Sequence, residues 1–83
     1  MQPGFEATRS LEEDLEDLDE THRAIALTEK RLDSQERRIE QLKEDGIECH
    51  SAEKILADMH RSLKDLIRHR ALVIQAIFVN QRQ

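Results

Sequence analysis

The stretch Glu44-Asp45-Gly46-Ile47-Glu48-Cys49-His50-Ser51 interrupts an otherwise continuous helical pattern in this 83-residue chain. Leucines and isoleucines recur at spacings of three and four on both sides of it, as they do along one face of a helix. Gly46 is the only glycine outside the first nine residues. Because helices commonly end where a glycine turns left-handed, the stretch predicts a bend between two helices. The predicted fold is all-α, a two-helix antiparallel coiled-coil hairpin.

The residues around Gly46 predict how the two helices end and begin. With Gly46 in the left-handed position, Leu42 and Ile47 occupy the two positions that make an apolar contact in a Schellman ending. Ser51 is predicted to cap the second helix by accepting an unpaired backbone N–H group. The predicted organisation is a flexible tail over 1–9 and a helical hairpin over 10–83, with helices at 10–45 and 51–80 and a turn at 46–50.

The first helix is predicted to open with a capping box, because Ser10 is followed three residues later by Glu13. A three-four repeat then indicates an inward seam. Its members are Leu11, Leu15, Leu18, His22, Ile25, Glu29, Leu32, Glu36 and Ile39. Three of these positions are polar, and the alternative is a helix rotated so that Ala26, Leu27 and Gln35 share the contact. The rotated helix is the preferred interpretation.

The second helix carries more apolar surface than the first helix can cover. Its predicted seam is Ile55, Met59, Leu63, Leu66, Val73 and Ile77, interrupted near Arg70 and widened by Leu56, Ile67, Ile74 and Phe78. An uncovered apolar surface on a small helical chain indicates an interface. We therefore expect a homodimer that forms a four-helix bundle. The predicted interface residues are Leu63, Leu66, Ile67, Val73, Ile74, Ile77 and Phe78.

Composition and charge also favour long helices. The chain is 37% hydrophobic and 37% charged, with two phenylalanines and neither tryptophan nor tyrosine. Its net charge of −5 divides into −8 over residues 1–50 (7 Lys+Arg, 15 Asp+Glu) and +3 over residues 51–83 (6 Lys+Arg, 3 Asp+Glu). An acidic first half and a basic second half attract each other within a hairpin and between two hairpins.

Several classes of protein are disfavoured by the residues present. A single cysteine excludes an intramolecular disulfide framework, and Cys49 beside His50 is far short of a zinc ligand set. We expect no metal, no cofactor and no enzymatic activity, since no nucleophile–base pair or glycine-rich phosphate loop is visible. With no signal peptide and no membrane-length apolar run, a cytoplasmic location without membrane contact is expected.

Polar residues in two places are candidates for binding a partner. The first helix begins with an acidic segment, which is either a solvated face or a patch for a basic protein. The second place is His69-Arg70, where Arg70 is expected to pair with an acidic residue such as Glu29, or else to bind an anion or a partner. The candidate partner-binding residues are Glu12, Glu13, Glu16, Asp17, His69 and Arg70.

A spaced pattern of residues runs from Ile25 to Ile77, about two-thirds of the chain. It consists of Glu29, Arg31, Gln35, Ile39 and Leu42, then Asp45-Gly46, then Ala52, Ile55-Leu56, Ser62-Leu63 and His69-Arg70. This pattern resembles that of a group of short, uncharacterised proteobacterial helical-hairpin proteins. The resemblance implies the same hairpin and supplies no activity, and the segment before Thr21 lies outside it.

The predicted function is that of a structural or interaction protein, a self-associating hairpin that presents helical surface to a protein partner. One alternative is a small nucleic-acid-binding dimer using Arg61, Lys64, Arg68 and His69, which the net negative charge disfavours. Another is a regulatory protein whose acidic first helix binds a basic partner, with the Leu11–Glu20 segment mobile until bound.

Overall fold

Two long helices pack against each other in the computed structural model, which describes residues 10–81. Helix α1 is Leu11–Glu44 and helix α2 is His50–Gln81, joined by a short turn. The only pair of packed elements in the described part of the chain is α1 against α2. The predicted all-α helical hairpin is therefore confirmed. The tail predicted over 1–9 lies outside the described residues.

The start of α1 is fixed by the reciprocal hydrogen bonds of a capping box. The backbone N–H of Glu13 donates to Ser10 Oγ at 3.1 Å, and the backbone N–H of Ser10 donates to Glu13 Oε1 at 3.0 Å. Two N–H groups without helical partners are thereby satisfied. The capping box predicted from the sequence is present.

The end of α1 is a Schellman ending built on Gly46, as the sequence predicts. The Ile47 N–H donates to the Leu42 carbonyl at 2.9 Å, and the Gly46 N–H donates to the Lys43 carbonyl at 3.1 Å. Gly46 has a φ of 69°, in the left-handed region that favours glycine. This one residue ends the helix and reverses the direction of the chain.

The start of α2 differs from the prediction, because Ser51 is not its cap. The helix begins one residue earlier, at His50, and Ser51 lies inside the first turn. The Glu53 N–H donates to the Cys49 carbonyl at 2.9 Å, so the first helical turn already encloses Ser51, and the Glu48 carboxylate accepts the backbone N–H of His50. An acidic side chain at this position also complements the helix dipole.

Replacing Gly46 by Ala is expected to destabilise the hairpin by about 1–2 kcal/mol. A Cβ at this position would meet nothing within 4 Å, so the cost comes from the positive φ alone. Urea denaturation followed by circular dichroism, at one fixed protein concentration, measures the change. Gly46→Asn is the matched control, since Asn tolerates this conformation, and it should lose clearly less stability. Equal losses in the two variants would contradict this explanation.

The inward seam of α1 follows a strict repeat of four and three residues, but it is not the predicted one. Its positions are Asp14, Leu18, Thr21, Ile25, Thr28, Leu32, Gln35, Ile39 and Leu42, all buried or half-buried. The predicted seam is correct at Leu18, Ile25, Leu32 and Ile39. It is wrong at Leu11, Leu15, His22, Glu29 and Glu36, which are exposed. The rotated alternative is correct for Gln35 and wrong for Ala26 and Leu27, which are exposed as well.

Hydrogen bonding explains why the observed repeat of α1, and not the predicted one, faces α2. Thr21 and Thr28 donate their hydroxyls to the backbone carbonyls four residues earlier, at 2.7 and 2.8 Å. Gln35 Nε2 donates to the Ala52 carbonyl of α2 at 2.9 Å. These polar side chains can be buried because each has a partner. Burying the ionisable side chains of Glu29 or Glu36 instead would require desolvating a charge.

Helix α2 presents a matching stripe to α1. Its inward positions are Ala52, Leu56, Met59, Leu63, Leu66, Arg70, Val73, Ile77 and Asn80. The predicted seam is right at Met59, Leu63, Leu66, Val73 and Ile77, and it is wrong at Ile55, which is 49% exposed. The buried apolar core of the described residues is small, consisting of Ile25, Leu32, Ile39, Ala52 and Val73.

Candidate interaction surfaces

The two long edges of the hairpin can be told apart by the contacts that cross between the helices. Lys43 Nζ lies 3.6 Å from Glu53 Oε2, and each of these residues directly follows an inward position. His69 Nε2 lies 3.0 Å from Asp17 Oδ1, and each of these directly precedes an inward position. Every second inward position of a helix belongs to one set that repeats every seven residues. The residues that directly follow this set therefore stay on one edge along the whole seam.

An apolar surface extends along the edge that carries Lys43 and Glu53. Leu15 directly follows Asp14, and Ile67 and Ile74 directly follow Leu66 and Val73, so they share that edge. Ile67 is 42% exposed, Ile74 38% and Phe78 63%. We define the apolar face as Ile67, Ala71, Ile74 and Phe78 of α2 with the exposed Leu11 and Leu15 of α1.

The structure divides the seven interface residues predicted from the sequence into two groups. Leu63, Leu66, Val73 and Ile77 lie in the seam, where α1 covers them, and Val73 is only 5% exposed. The heptad repeat of α2 directs them to α1, and their assignment to an intermolecular interface stays a prediction. The other three, Ile67, Ile74 and Phe78, lie on the apolar face.

An acidic groove adjoins the apolar face near the start of α1. It is a shallow, open depression on one side of α1, lined by Leu11, Glu12, Leu15, Glu16 and Asp19. Asp19 forms a hydrogen-bonded ion pair with Arg23, and this hydrogen bond raises the pKa of Arg23. Glu12 and Glu16 form no hydrogen bond or ion pair with any described residue. The groove thus combines two apolar side chains with carboxylates available to a cation.

The open end of the hairpin holds two further polar contacts between the helices. Asp14 is only 2% exposed and accepts a hydrogen bond from Asn80 Nδ2 at 3.0 Å. Asp17, one of the candidate partner-binding residues, contacts His69 at 3.0 Å. These contacts anchor the acidic segment to α2. They favour a Leu11–Glu20 segment that is already ordered in the free hairpin over one that orders on binding.

The expected pair between Arg70 and Glu29 is not formed. Arg70 is half-buried at an inward position, and it makes no hydrogen bond or ion pair with another residue of the described chain. Glu29 is exposed, because the seam turns the other side of α1 inward. Of the pair His69-Arg70, it is His69 that contacts an acidic residue of α1, namely Asp17. Sequence reasoning missed Asp14 and Asn80, although the seven-residue spacing of Thr21 and Thr28 signals the inward stripe that contains Asp14.

The basic residues considered for nucleic-acid binding do not form a free stripe. Arg61 pairs with Asp58 at 3.1 Å, and His69 contacts Asp17 across the seam. Lys64 and Arg68 are exposed and make no ion pair with described residues. Two unpaired cations on a chain of net charge −5 provide little of the phosphate neutralisation that nucleic-acid binding requires.

No metal cluster and no membrane-spanning helix occur within residues 10–81. No group of three His, Cys, Asp or Glu side chains in this range could hold a metal ion. Cys49 is a half-buried free cysteine and His50 is exposed. Neither described helix combines the length and the apolar character needed to cross a membrane.

In comparisons with known proteins, no family model, no curated protein and no solved structure matches this chain. The resemblance to proteobacterial helical hairpins therefore stays a prediction.

Proposed function

We propose that this protein is a non-enzymatic interaction protein that pairs with a second copy of itself to form a four-helix bundle. The observation that carries the proposal is the apolar face, where Ile67, Ile74 and Phe78 of α2 remain 38–63% exposed beside Leu15. A monomer of this size rarely exposes such a continuous apolar surface unless it forms an interface.

The small core of the hairpin supports self-association. Only five apolar residues are buried among the described residues, and two packed helices alone bury little surface. Helical chains of this size are commonly stabilised by oligomerisation. Burying the apolar face against a second copy would convert a two-layer packing into a bundle with a central core.

The acidic segment of α1 is the surface that we propose for a protein partner. Residues 11–20 contain seven carboxylates and no cation, and Glu12, Glu13, Glu16 and Glu20 are exposed. Such a surface would attract a basic partner, and the contacts of Asp14 and Asp17 with α2 would hold it in a fixed helical shape. The cytoplasmic location expected from the sequence stays a prediction.

Light scattering on a sizing column, over a range of concentrations, tests the self-association directly. We expect a mass near twice the 9.7 kDa of the single chain, falling towards the single-chain value on dilution. The fall follows from mass action, because the apolar face is modest in size. A helical chain that stays at 9.7 kDa at every concentration would contradict the proposal. The apolar face would then be open to a different protein.

A further inference from the structure

We propose that two copies pair through the apolar face with their α2 helices antiparallel, and that Lys64 of each copy enters the acidic groove of the other. The inference rests on the proposed function, because it specifies the geometry of that self-association. It is carried by the order of residues in the apolar face, by the position of the groove and by charges that have no partner among the described residues.

The spacing of the apolar face is the same in both directions along α2. Ile67, Ala71, Ile74 and Phe78 are separated by four, three and four residues. A two-fold axis perpendicular to the helix therefore superimposes this row on itself, as an isologous interface requires. Ile67 then faces Phe78 of the second copy and Ala71 faces Ile74. A small residue opposite a large one at the centre allows the two helices to approach closely.

The same two-fold arrangement determines the position of Lys64. Lys64 lies three residues before Ile67, so it faces a point three residues beyond Phe78 of the second copy. That point adjoins Asn80, whose side chain contacts Asp14 of α1 at 3.0 Å. The acidic groove lies beside this contact and on the same edge of the hairpin, since Leu15 directly follows Asp14. The antiparallel pairing therefore brings a cation to the groove, while Glu13 and Glu20, which do not line it, remain exposed to the proposed protein partner.

Lys64 cannot reach the acidic groove of its own chain. It is sixteen residues before Asn80 along α2, a separation of about 24 Å at a rise of 1.5 Å per residue. Lys64, Glu12 and Glu16 accordingly have no ion-pair partner among the described residues. A parallel pairing of the two α2 helices would place Lys64 against Lys64 of the second copy and leave the carboxylates unpaired. Charge complementarity therefore favours the antiparallel orientation.

A charge-reversal exchange on the full-length chain tests the orientation. One variant is Lys64→Glu, a second carries Glu12→Lys and Glu16→Lys together, and a third combines all three changes. Lys54→Glu is the matched control, because Lys54 is an exposed lysine of α2 outside the apolar face. Sedimentation equilibrium gives the dimer dissociation constant of each, and circular dichroism checks that each remains helical.

We expect each of the first two variants to raise the dissociation constant about tenfold, because every substitution acts twice in a two-fold dimer. The combined variant should return to within about threefold of the original chain, and Lys54→Glu should leave the constant unchanged. A combined variant as weak as its parents would overturn the orientation. So would unchanged dissociation constants in both parents while the original chain still dimerises, and self-association itself would then stand. An original chain that is monomeric throughout would reject both proposals.

Discussion

Replacing Leu32 by Asp is expected to unfold the hairpin at room temperature. Leu32 is 7% exposed and lies at the middle of the α1 seam, where Thr28, Gln35 and the facing side of α2 offer no cation. A carboxylate buried there without a partner, together with the lost apolar contact, costs about 3–5 kcal/mol. That loss is comparable to the whole stability that the core of so small a chain supplies, about 3–5 kcal/mol. Far-UV circular dichroism should show loss of most of the helical signal.

Leu27→Asp is the matched control for this experiment. Leu27 lies on the same helix but is 48% exposed, so the same substitution leaves the new carboxylate in water. The two variants share the helix-propensity penalty of Asp relative to Leu, which is about 0.5 kcal/mol. We expect Leu27→Asp to remain helical and to melt within a few degrees of the original chain. Equal unfolding of the two variants would show that the seam does not lie where the structure places it.

Replacing Ile74 by Asp is expected to dissociate the dimer while leaving the hairpin helical. Ile74 is 38% exposed at the centre of the apolar face and directly follows the buried Val73. In a two-fold dimer each substitution removes two apolar contacts and would bury two carboxylates, so the dissociation constant should rise at least a hundredfold. Light scattering should give the single-chain mass at concentrations where the original chain is dimeric, and circular dichroism should show the helices retained.

Leu72→Asp provides the comparison for the dimer experiment. Leu72 is two residues away on the same helix and is 58% exposed, but it lies outside the apolar face. The Leu72→Asp variant should therefore keep the dimeric mass of the original chain. If Leu72→Asp dissociates the dimer and Ile74→Asp does not, α2 uses a different face for self-association. If Ile74→Asp loses its helices as well, folding and dimerisation are coupled in this chain.

The ends of the two helices show how far local sequence patterns determine structure. Ser10 with Glu13, and Gly46 with Leu42 and Ile47, form the hydrogen bonds that their spacing predicts, because every partner lies within a few residues along the chain. The prediction for Ser51 failed at the same scale. The Glu53 N–H donates to the Cys49 carbonyl, so α2 begins at His50, one residue before the predicted start.

The inward side of α1 could not be read from apolar periodicity alone. The stripe of Leu18, Ile25, Leu32 and Ile39 belongs to two overlapping repeats, one of which continues through Leu15 and the other through Asp14. Hydrophobicity favours Leu15, whereas the structure buries Asp14 against Asn80, a residue 66 positions away in the sequence. The energy of that contact exists only once the two helices are side by side.

The sequence by itself determined the two helices, the left-handed bend at Gly46 and the excess of apolar surface on α2, because these depend on periodicity and on neighbours within one or two turns. Only the tertiary structure decided which edge of the seam exposes Ile67, Ile74 and Phe78, and that Leu63, Leu66, Val73 and Ile77 are covered by α1. The observed rotation of α1 about its axis is accompanied by hydrogen bonds that cross the seam, from Gln35 to Ala52 and from Asn80 to Asp14. These contacts couple residues distant in the sequence, so apolar periodicity alone does not predict them.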